Sequence, residues 1–309
     1  MVKNGDEQIK VYINTNDFYK IEMEQYNWCD IYGNVNTRFT HYPKEKFPKQ
    51  ISLAPSFGIR NFNFFETAYY SVLNFFKAFD EIKNRTSWNK YVGQNEKKIV
   101  KNILRYFYEY LKNYLYRQPI ESYKNTALLK KNYIFFLSTL WYNDENNRND
   151  EGVNRRRANF IEAMKELENC EFEGGLLCSD RLSSSNLFEK SVTNTALNLS
   201  TWLQKTKESE VVFNTPAFWD CHGWKLGEYL AMGKAIISTP LSNDLPEPLI
   251  HGEHIHIIPD SSKESIKKAV IYILENPEYR VHLETNAQKY WNDYGEPKKA
   301  LQLLGLEKS

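Results

Sequence analysis

The segment from Val211 to Asp260, VVFNTPAFWDCHGWKLGEYLAMGKAIISTPLSNDLPEPLIHGEHIHIIPD, constrains the fold more than any other part of this chain. Val211 to Phe213 is a short apolar run, and Trp224 to Met232 is built of good helix formers. Gly233 stands where a helix stop belongs, and Ala235 to Ile237 resumes a buried strand. A parallel sheet with crossover helices produces this order of strand, loop, helix and strand, and such sheets bind ligands at the carboxyl ends of their strands. The loop from Phe213 to Lys225 is therefore expected to line a site.

The flanking sequence continues the alternation. Tyr133 to Leu140, YIFFLSTL, is a continuous apolar run suited to a central parallel strand. The polar stretch from Trp141 to Asn154 reads as a long loop, and a helix opens at Arg155, Arg156 and Arg157 with Phe160, Ile161, Met164 and Leu167 on its apolar face. Gly174 to Cys178 supplies the next strand and Ala196 to Lys207 the next helix. Ser261 and Glu264 fit a capping box before a helix carrying Ile266, Ala269, Val270, Ile273 and Leu274. Asn276 and Pro277 then suit the N-cap and first position of a final helix running to about Asn292.

A chain of 309 residues exceeds the usual single core, which predicts two domains, with the break where the pattern resets around Ala127 to Asn132. The expected division is 1–128, 129–292 and a tail, 293–309. Ile9 to Ile13 alternates like a strand in the first domain. Two helical stripes follow there: Phe65, Ala68, Tyr69, Val72, Phe76 and Phe79, then Ile99, Ile103, Phe107, Leu111 and Tyr114 within a helix from Glu96 to Arg117. Both are expected to pack inside the first domain; a membrane-surface or acceptor-binding role is the alternative.

Forty basic and thirty-nine acidic residues nearly cancel, which argues against a nucleic-acid partner, since neutralising phosphates needs a clustered surplus of Lys and Arg. Cys29, Cys170, Cys178 and Cys221 are scattered without a CxxC pair, as expected of a reducing compartment. The first residues lack the apolar run of a signal peptide, and no stretch reaches the roughly 18 apolar residues of a membrane span. These features lead us to expect a soluble, cytoplasmic protein.

Asp220 and Glu228, seven residues apart in the intervening sequence, together with EYLAMGKAIIS (Glu228 to Ser238) and LPEPLIHGEHIHIIPD (Leu245 to Asp260), resemble the donor-binding signature of group 1 glycosyltransferases. Asp220 stands where that family usually has Glu. The resemblance implies an α/β protein of the GT-B fold, two Rossmann-like domains facing a cleft, with the C-terminal helix crossing back to the first domain. It implies transfer of a sugar from a nucleotide-diphosphate sugar to a glycan or lipid-linked acceptor, as in bacterial surface or capsular polysaccharide biosynthesis. A lipid-linked acceptor would bring the protein to the inner face of the membrane.

Such a reaction must hold two phosphates, fix the ribose and stabilise charge on the leaving diphosphate. Unpaired amides at the helix start, around Gly223, Trp224, Leu226 and Gly227, form an anion site at the positive end of a dipole, and Lys225 adds a charge. By resemblance Glu228 accepts from the ribose hydroxyls and Asp220 lies near the sugar or β-phosphate. Asp220 and His222 are the catalytic candidates. Arg156 is the expected diphosphate arginine, with Ser138, Thr139, Asn214 and Thr215 as further donor contacts.

His254 and His256 on one strand face suggest metal, but no third ligand has a usual spacing, and there is no DxD triplet. A metal-independent enzyme with no cofactor is expected. Cys221 beside His222 is no nucleophile pair, because adjacent side chains seldom face each other, and no P-loop or dinucleotide fingerprint occurs. The alternatives are a catalytically inactive glycosyltransferase-like scaffold protein and a nucleotide-sugar epimerase.

Overall fold

Parallel three-stranded sheets carry most of the chain. The computed structural model describes residues 2–4, 7–79, 82, 96–124, 129–141, 149–178 and 186–306. An antiparallel pair, β1 (Val2–Asn4) and β2 (Glu7–Ile9), precedes the first of these sheets. That sheet runs β3 (Val11–Asn14), β4 (Ile31–Asn34) and β5 (Gln50–Ser52), with α1 (Met23–Trp28) in its first crossover. Contacts then group Met1–Phe57 with Lys124–Ser309 as one compact unit and Gly58–Tyr123 as another.

The Gly58–Tyr123 unit contains α2 (Phe64–Lys77) and α3 (Glu96–Tyr116). Asn63 and Glu66 close a full capping box at the start of α2. The two helices are antiparallel, since Phe64 meets the ring of Tyr114 and Phe75 meets Phe107. Their contact line is Ser71, Asn74 and Phe75 against Tyr106, Phe107 and Tyr110. The stripe expected to face inward on α2 is therefore turned outward, with Phe65 81% exposed, Phe76 74%, and Tyr69 and Val72 also exposed, whereas on α3 Phe107 and Tyr114 meet α2 as expected and Leu111 is exposed. On α2 the periodicity is real, but the side that meets the partner helix is the neighbouring one with Ser71, Asn74 and Phe75.

After Lys124 the strands and helices are β6 (Tyr133–Thr139), α4 (Asn149–Lys165), β7 (Glu171–Leu177), β8 (Val192–Thr193), α5 (Leu199–Glu208), β9 (Val211–Asn214), α6 (Trp224–Ala231), β10 (Ala235–Ser238), β11 (His256–Ile257), α7 (Lys263–Glu275), α8 (Pro277–Tyr290) and α9 (Pro297–Leu303). β6-β7-β8 and β11-β10-β9 are parallel sheets. They share one core, in which Ile134 and Phe136 of β6, Val211 and Phe213 of β9 and Ile237 of β10 pack with Phe160, Ile161 and Met164 of α4. The β6 and β9 strands adjoin: Glu210 N donates to Tyr133 O at 2.9 Å.

Two boundaries differ from the sequence reading. α4 opens at Asn149, so the expected loop from Trp141 is shorter, and part of it lies outside the described residues, as do 125–128 and 307–309. Ser262, not Ser261, caps α7, accepting from Ser265 N, and Glu264 forms no capping box. Gly233 does end the helix, at φ +58°. The C-terminal helix crosses back: Leu304, just after α9, is buried against Val35 and Leu53 of the first sheet.

Candidate functional site

The carboxyl ends of the first sheet and of the β6–β11 strands face the same polar region. β3 ends in Asn14, β4 in Asn34 and β5 in Ser52, while β9 ends in Asn214 and β10 in Ser238, all of them buried. Burying this many polar side chains is tolerable only with partners, and hydrogen bonds supply them. Asn14 and Asn34 make the same local bond: Oδ1 of Asn14 accepts from Asn16 N at 3.0 Å and Oδ1 of Asn34 from Asn36 N at 3.2 Å. These Asx turns direct both chains away from the sheet at equivalent heights.

From there Asn36 reaches the loop ahead of α6. Its Oδ1 accepts from His222 N at 2.8 Å and from Asn243 Nδ2 at 3.0 Å. Asn243 Nδ2 also donates to Asp220 O at 3.1 Å, and Arg38 Nε donates to Asn243 Oδ1 at 3.0 Å. Asp244 joins by backbone and side chain to Thr37 and Phe39, and its carbonyl accepts from Ser52 Oγ at 3.0 Å. Two atoms in this network are buried without a partner, His222 Nε2 and Arg38 Nη2. Burial pulls the His222 pKa down to about 4, against the upward effect of bonds to the Asp244 and Asn243 backbone. The ring is thus neutral at pH 7 and, with its other nitrogen on the backbone, presents Nε2 as a lone pair.

The loop itself is strained. Trp219 and Asp220 are consecutive non-glycine residues in the left-handed region, at φ +58° and +59°. Asp tolerates this conformation; a bulky Trp does so at a cost on the order of 1 kcal/mol. Ala217 N to Cys221 O at 2.9 Å closes the loop, and Phe18 packs on Trp219 with ring centroids 5.0 Å apart. Cys221 donates to Asp17 Oδ1 at 3.6 Å, and burial first, Asp17 second, push its thiol up to about 12.

α6 follows at once. Gly223 is its extended N-cap and Leu226 N bonds Gly223 O at 3.1 Å. A side chain at Gly227 would place its Cβ 2.5 Å from Pro55 O, so only glycine lets the Pro55–Phe57 backbone lie on the first turn. That side is closed, whereas Trp224 remains half-exposed. Of the two cavities described, one of about 280 Å³ borders the loop through Phe18, with Asn16, Lys20, Ile21 and Glu22 also lining it, and the other, of about 700 Å³, lies apart between β11 and α7.

A charge cluster of two buried side chains, Arg157 and Glu228, and half-buried Lys225 sits beside this turn. Glu228 is 8% exposed, and the Lys225 ammonium lies 4.6 Å over the Trp202 ring. Burial lowers the Lys225 pKa to about 8, opposed by Glu228 and reinforced by Arg157. Arg157 Nη1 donates to Thr139 O at 3.1 Å, at the end of β6, and burial lowers its pKa to about 10. Of the three arginines in the run, Arg157 is the buried one, near Tyr229 and Cys221; Arg156 is half-buried and Arg155 exposed. The helix phase that selects among three consecutive arginines is not visible in their composition.

The remaining expected residues are accounted for as follows. Asn214 Nδ2 donates to Ser238 Oγ at 2.9 Å and Thr215 Oγ1 accepts from Thr239 Oγ1 at 3.2 Å. Ser138 is buried, and Thr139 presents its carbonyl to Arg157 with its side chain exposed. His251 and His254 accept from backbone amides at Nδ1, and His256 Nδ1 lies 3.0 Å from Tyr279 OH. Among the described residues no cluster of three or more His, Cys, Asp or Glu is placed to hold a metal ion. Sequence reasoning missed Asn36, Arg38 and Asn243. A signal existed, since INTN and GNVN end two successive strands with the same Asn-x-Asn.

Comparison with known proteins agrees with the C-terminal geometry. Residues 199–290 match the family described as glycosyl transferases group 1. No curated protein matches the chain. Among solved structures, Anabaena Alr3699/HepE in complex with UDP and glucose is similar at 10% identity over 96% of this chain and 98% of that one, with a TM-score of 0.44. Sucrose-phosphate synthase from Thermosynechococcus elongatus is similar at 13% identity over 90% of this chain and 73% of that one, also with a TM-score of 0.44. The C-terminal domain of LpcC, a group 1 family glycosyl transferase from Francisella tularensis, is similar at 12% identity over 55% of this chain and 88% of that one, with a TM-score of 0.39.

Proposed function

We propose that this protein is a glycosyltransferase that moves a sugar from a nucleoside-diphosphate donor to an acceptor hydroxyl. The observation that carries this reading is the grouping of buried Arg157 of α4 with half-buried Lys225 and buried Glu228 of α6, the latter two within the segment that matches the group 1 family. Two cations and a row of helix amides suit a diphosphate, and a buried carboxylate suits the paired hydroxyls of a ribose. The protein's own cations take up the charge on the leaving diphosphate. As the acceptor oxygen bonds to the anomeric carbon and the bond to diphosphate breaks, the hydroxyl proton passes to His222 Nε2. Asp220 stands on the same strained loop, against the reacting sugar. The acceptor is a glycan or a lipid-linked saccharide, as in the assembly of bacterial surface polysaccharides.

Thermal-shift titration of the full chain with UDP, GDP, CDP and their sugars tests the donor site. One nucleotide is expected to raise Tm, and Glu228→Ala and Arg157→Ala each to abolish the rise while Arg156→Ala keeps it. Equal shifts in all three variants would overturn the residue assignment, and no shift with any nucleotide would overturn the reading. Release of free nucleoside diphosphate should fall at least 100-fold in His222→Gln with binding retained.

A further inference from the structure

The face of the Gly58–Tyr123 unit that α2 and α3 turn away from each other is the least explained surface of the molecule. In each helix the exposed stripe follows the contact line by one residue. Val72 and Phe76 follow Ser71 and Phe75; Tyr108 and Leu111 follow Phe107 and Tyr110. One residue is about 100° of helix, and equal turns on antiparallel helices bring both stripes to the same side of the pair. Phe65, Tyr69, Val72 and Phe76 thus share a face with Val100, Leu104, Tyr108, Leu111 and Leu115, every one of them about half-exposed or more. Single exposed apolar residues need no explanation, but a contiguous set this large marks an interaction surface.

Charge identifies the occupant. Lys77, Lys101, Arg105 and Lys112, all exposed, each come one residue after a member of the apolar stripes, along its border; Glu66 and Glu109 hold the same register, with Glu109 3.8 Å from Arg105, which leaves the border with four cations against two anions. Over residues 58–123 there are eleven Lys and Arg against six Asp and Glu, although the whole chain is nearly neutral. A second copy docked face to face would bring these cationic borders together, which costs energy. An anionic lipid surface complements them, and Phe, Tyr and Leu beside Lys and Arg are the composition of helices that lie in the headgroup plane. We infer that α2 and α3 seat the protein on an anionic bilayer, with the Phe65–Phe76 and Val100–Leu115 stripes in the acyl boundary and the lysines at the headgroups. This rests on the exposed face alone and does not depend on the donor site.

Co-sedimentation of the full chain with vesicles of phosphatidylcholine and phosphatidylglycerol, about 7:3, against phosphatidylcholine alone, provides the test. We expect binding to the anionic vesicles that weakens as NaCl rises. Phe65→Asp with Phe76→Asp should weaken it on the order of 100-fold, since two buried phenylalanines are lost from the lipid. Lys101→Glu with Arg105→Glu should weaken binding to anionic vesicles about tenfold or more. Both variants keep the contact line between the helices, and an unchanged nucleotide-induced Tm shift would show that they fold and that the donor site is a separate matter. No binding to either vesicle, or equal binding by the Phe65/Phe76 variant, would overturn the inference. So would a wild-type dimer that ignores vesicles and is made monomeric by the same variant.

Discussion

The core around β6, β9 and α4 and the α2–α3 pair are both rich in aromatic residues and use them in opposite ways. In the core, Phe160 and Phe213 stack with centroids 4.5 Å apart, Phe136 meets Phe160 edge-on at 5.3 Å, and none of the three is more than 2% exposed. In the helix pair, Phe65 and Phe76 project outward, and the helix contact combines hydrogen bonds of Ser71 and Asn74 with Tyr106 and Tyr110 and the packing of half-buried Phe75 against Phe107. An apolar run or stripe thus fixes what a residue wants to meet. It does not fix which partner is there to meet it.

The largest expected contrast lies in truncation. Phe213→Ala should cost about 3–5 kcal/mol in urea unfolding, because a fully buried ring leaves a cavity among β6, β10 and α4, whereas Phe76→Ser should stay within about 0.5 kcal/mol. A loss of several kcal/mol for Phe76→Ser would mean that its face is covered in solution.

The next effect is the pH dependence of the β6–β11 unit. The His222 pKa falls on folding from 6.5 to about 4, so between those values the unfolded chain binds a proton that the folded chain refuses. Stability should therefore decline as pH drops from 6.5 to 4, by up to about 3 kcal/mol, and be unaffected by this group above 6.5. The slope should flatten in His222→Gln. An unchanged slope would show that the imidazole is solvated and that its Nε2 is not held apart in the network. No such dependence is expected of hydrogen exchange in α2.

A smaller contrast concerns helix caps. Asn63 caps α2 and Asn198 caps α5, the latter accepting from Thr201 N at 2.9 Å, and replacing either by Ala should cost about 1 kcal/mol. Hydrogen exchange should tell them apart. Asn63→Ala should speed exchange throughout α2, which has little core behind it, while Asn198→Ala should affect only the first turn of α5.

Legibility in the sequence followed the same divide. β6, β9, α6 and β10 lie within a residue or two of where their apolar runs and the stop at Gly233 predict, because each is buried almost throughout, so that its apolar run alone marks it. The aromatic stripe of α2 was legible as a helix but not as an outward face, while Phe107 and Tyr114 of α3 do meet the partner helix. In the candidate site, Lys225 follows from its place at a helix start, and Glu228 from the resemblance to the group 1 signature. Choosing Arg157 over Arg156 needed the phase of α4, which begins at Asn149, within a stretch that reads as loop. The links from Arg38 to Asn243 and from Asn36 to His222 join residues 205 and 186 positions apart, and no local pattern announces them.

The contact at Gly227 couples two parts of the fold that the sequence keeps far apart. Because the carbonyl of Pro55 rests where a side chain would be, the first turn of α6 and the strand exit of β5 move as one body. A shift of α6 therefore drags the amino-terminal sheet with it, and a methyl group at position 227 would act as a wedge between helix and Pro55 without touching a single ionisable group.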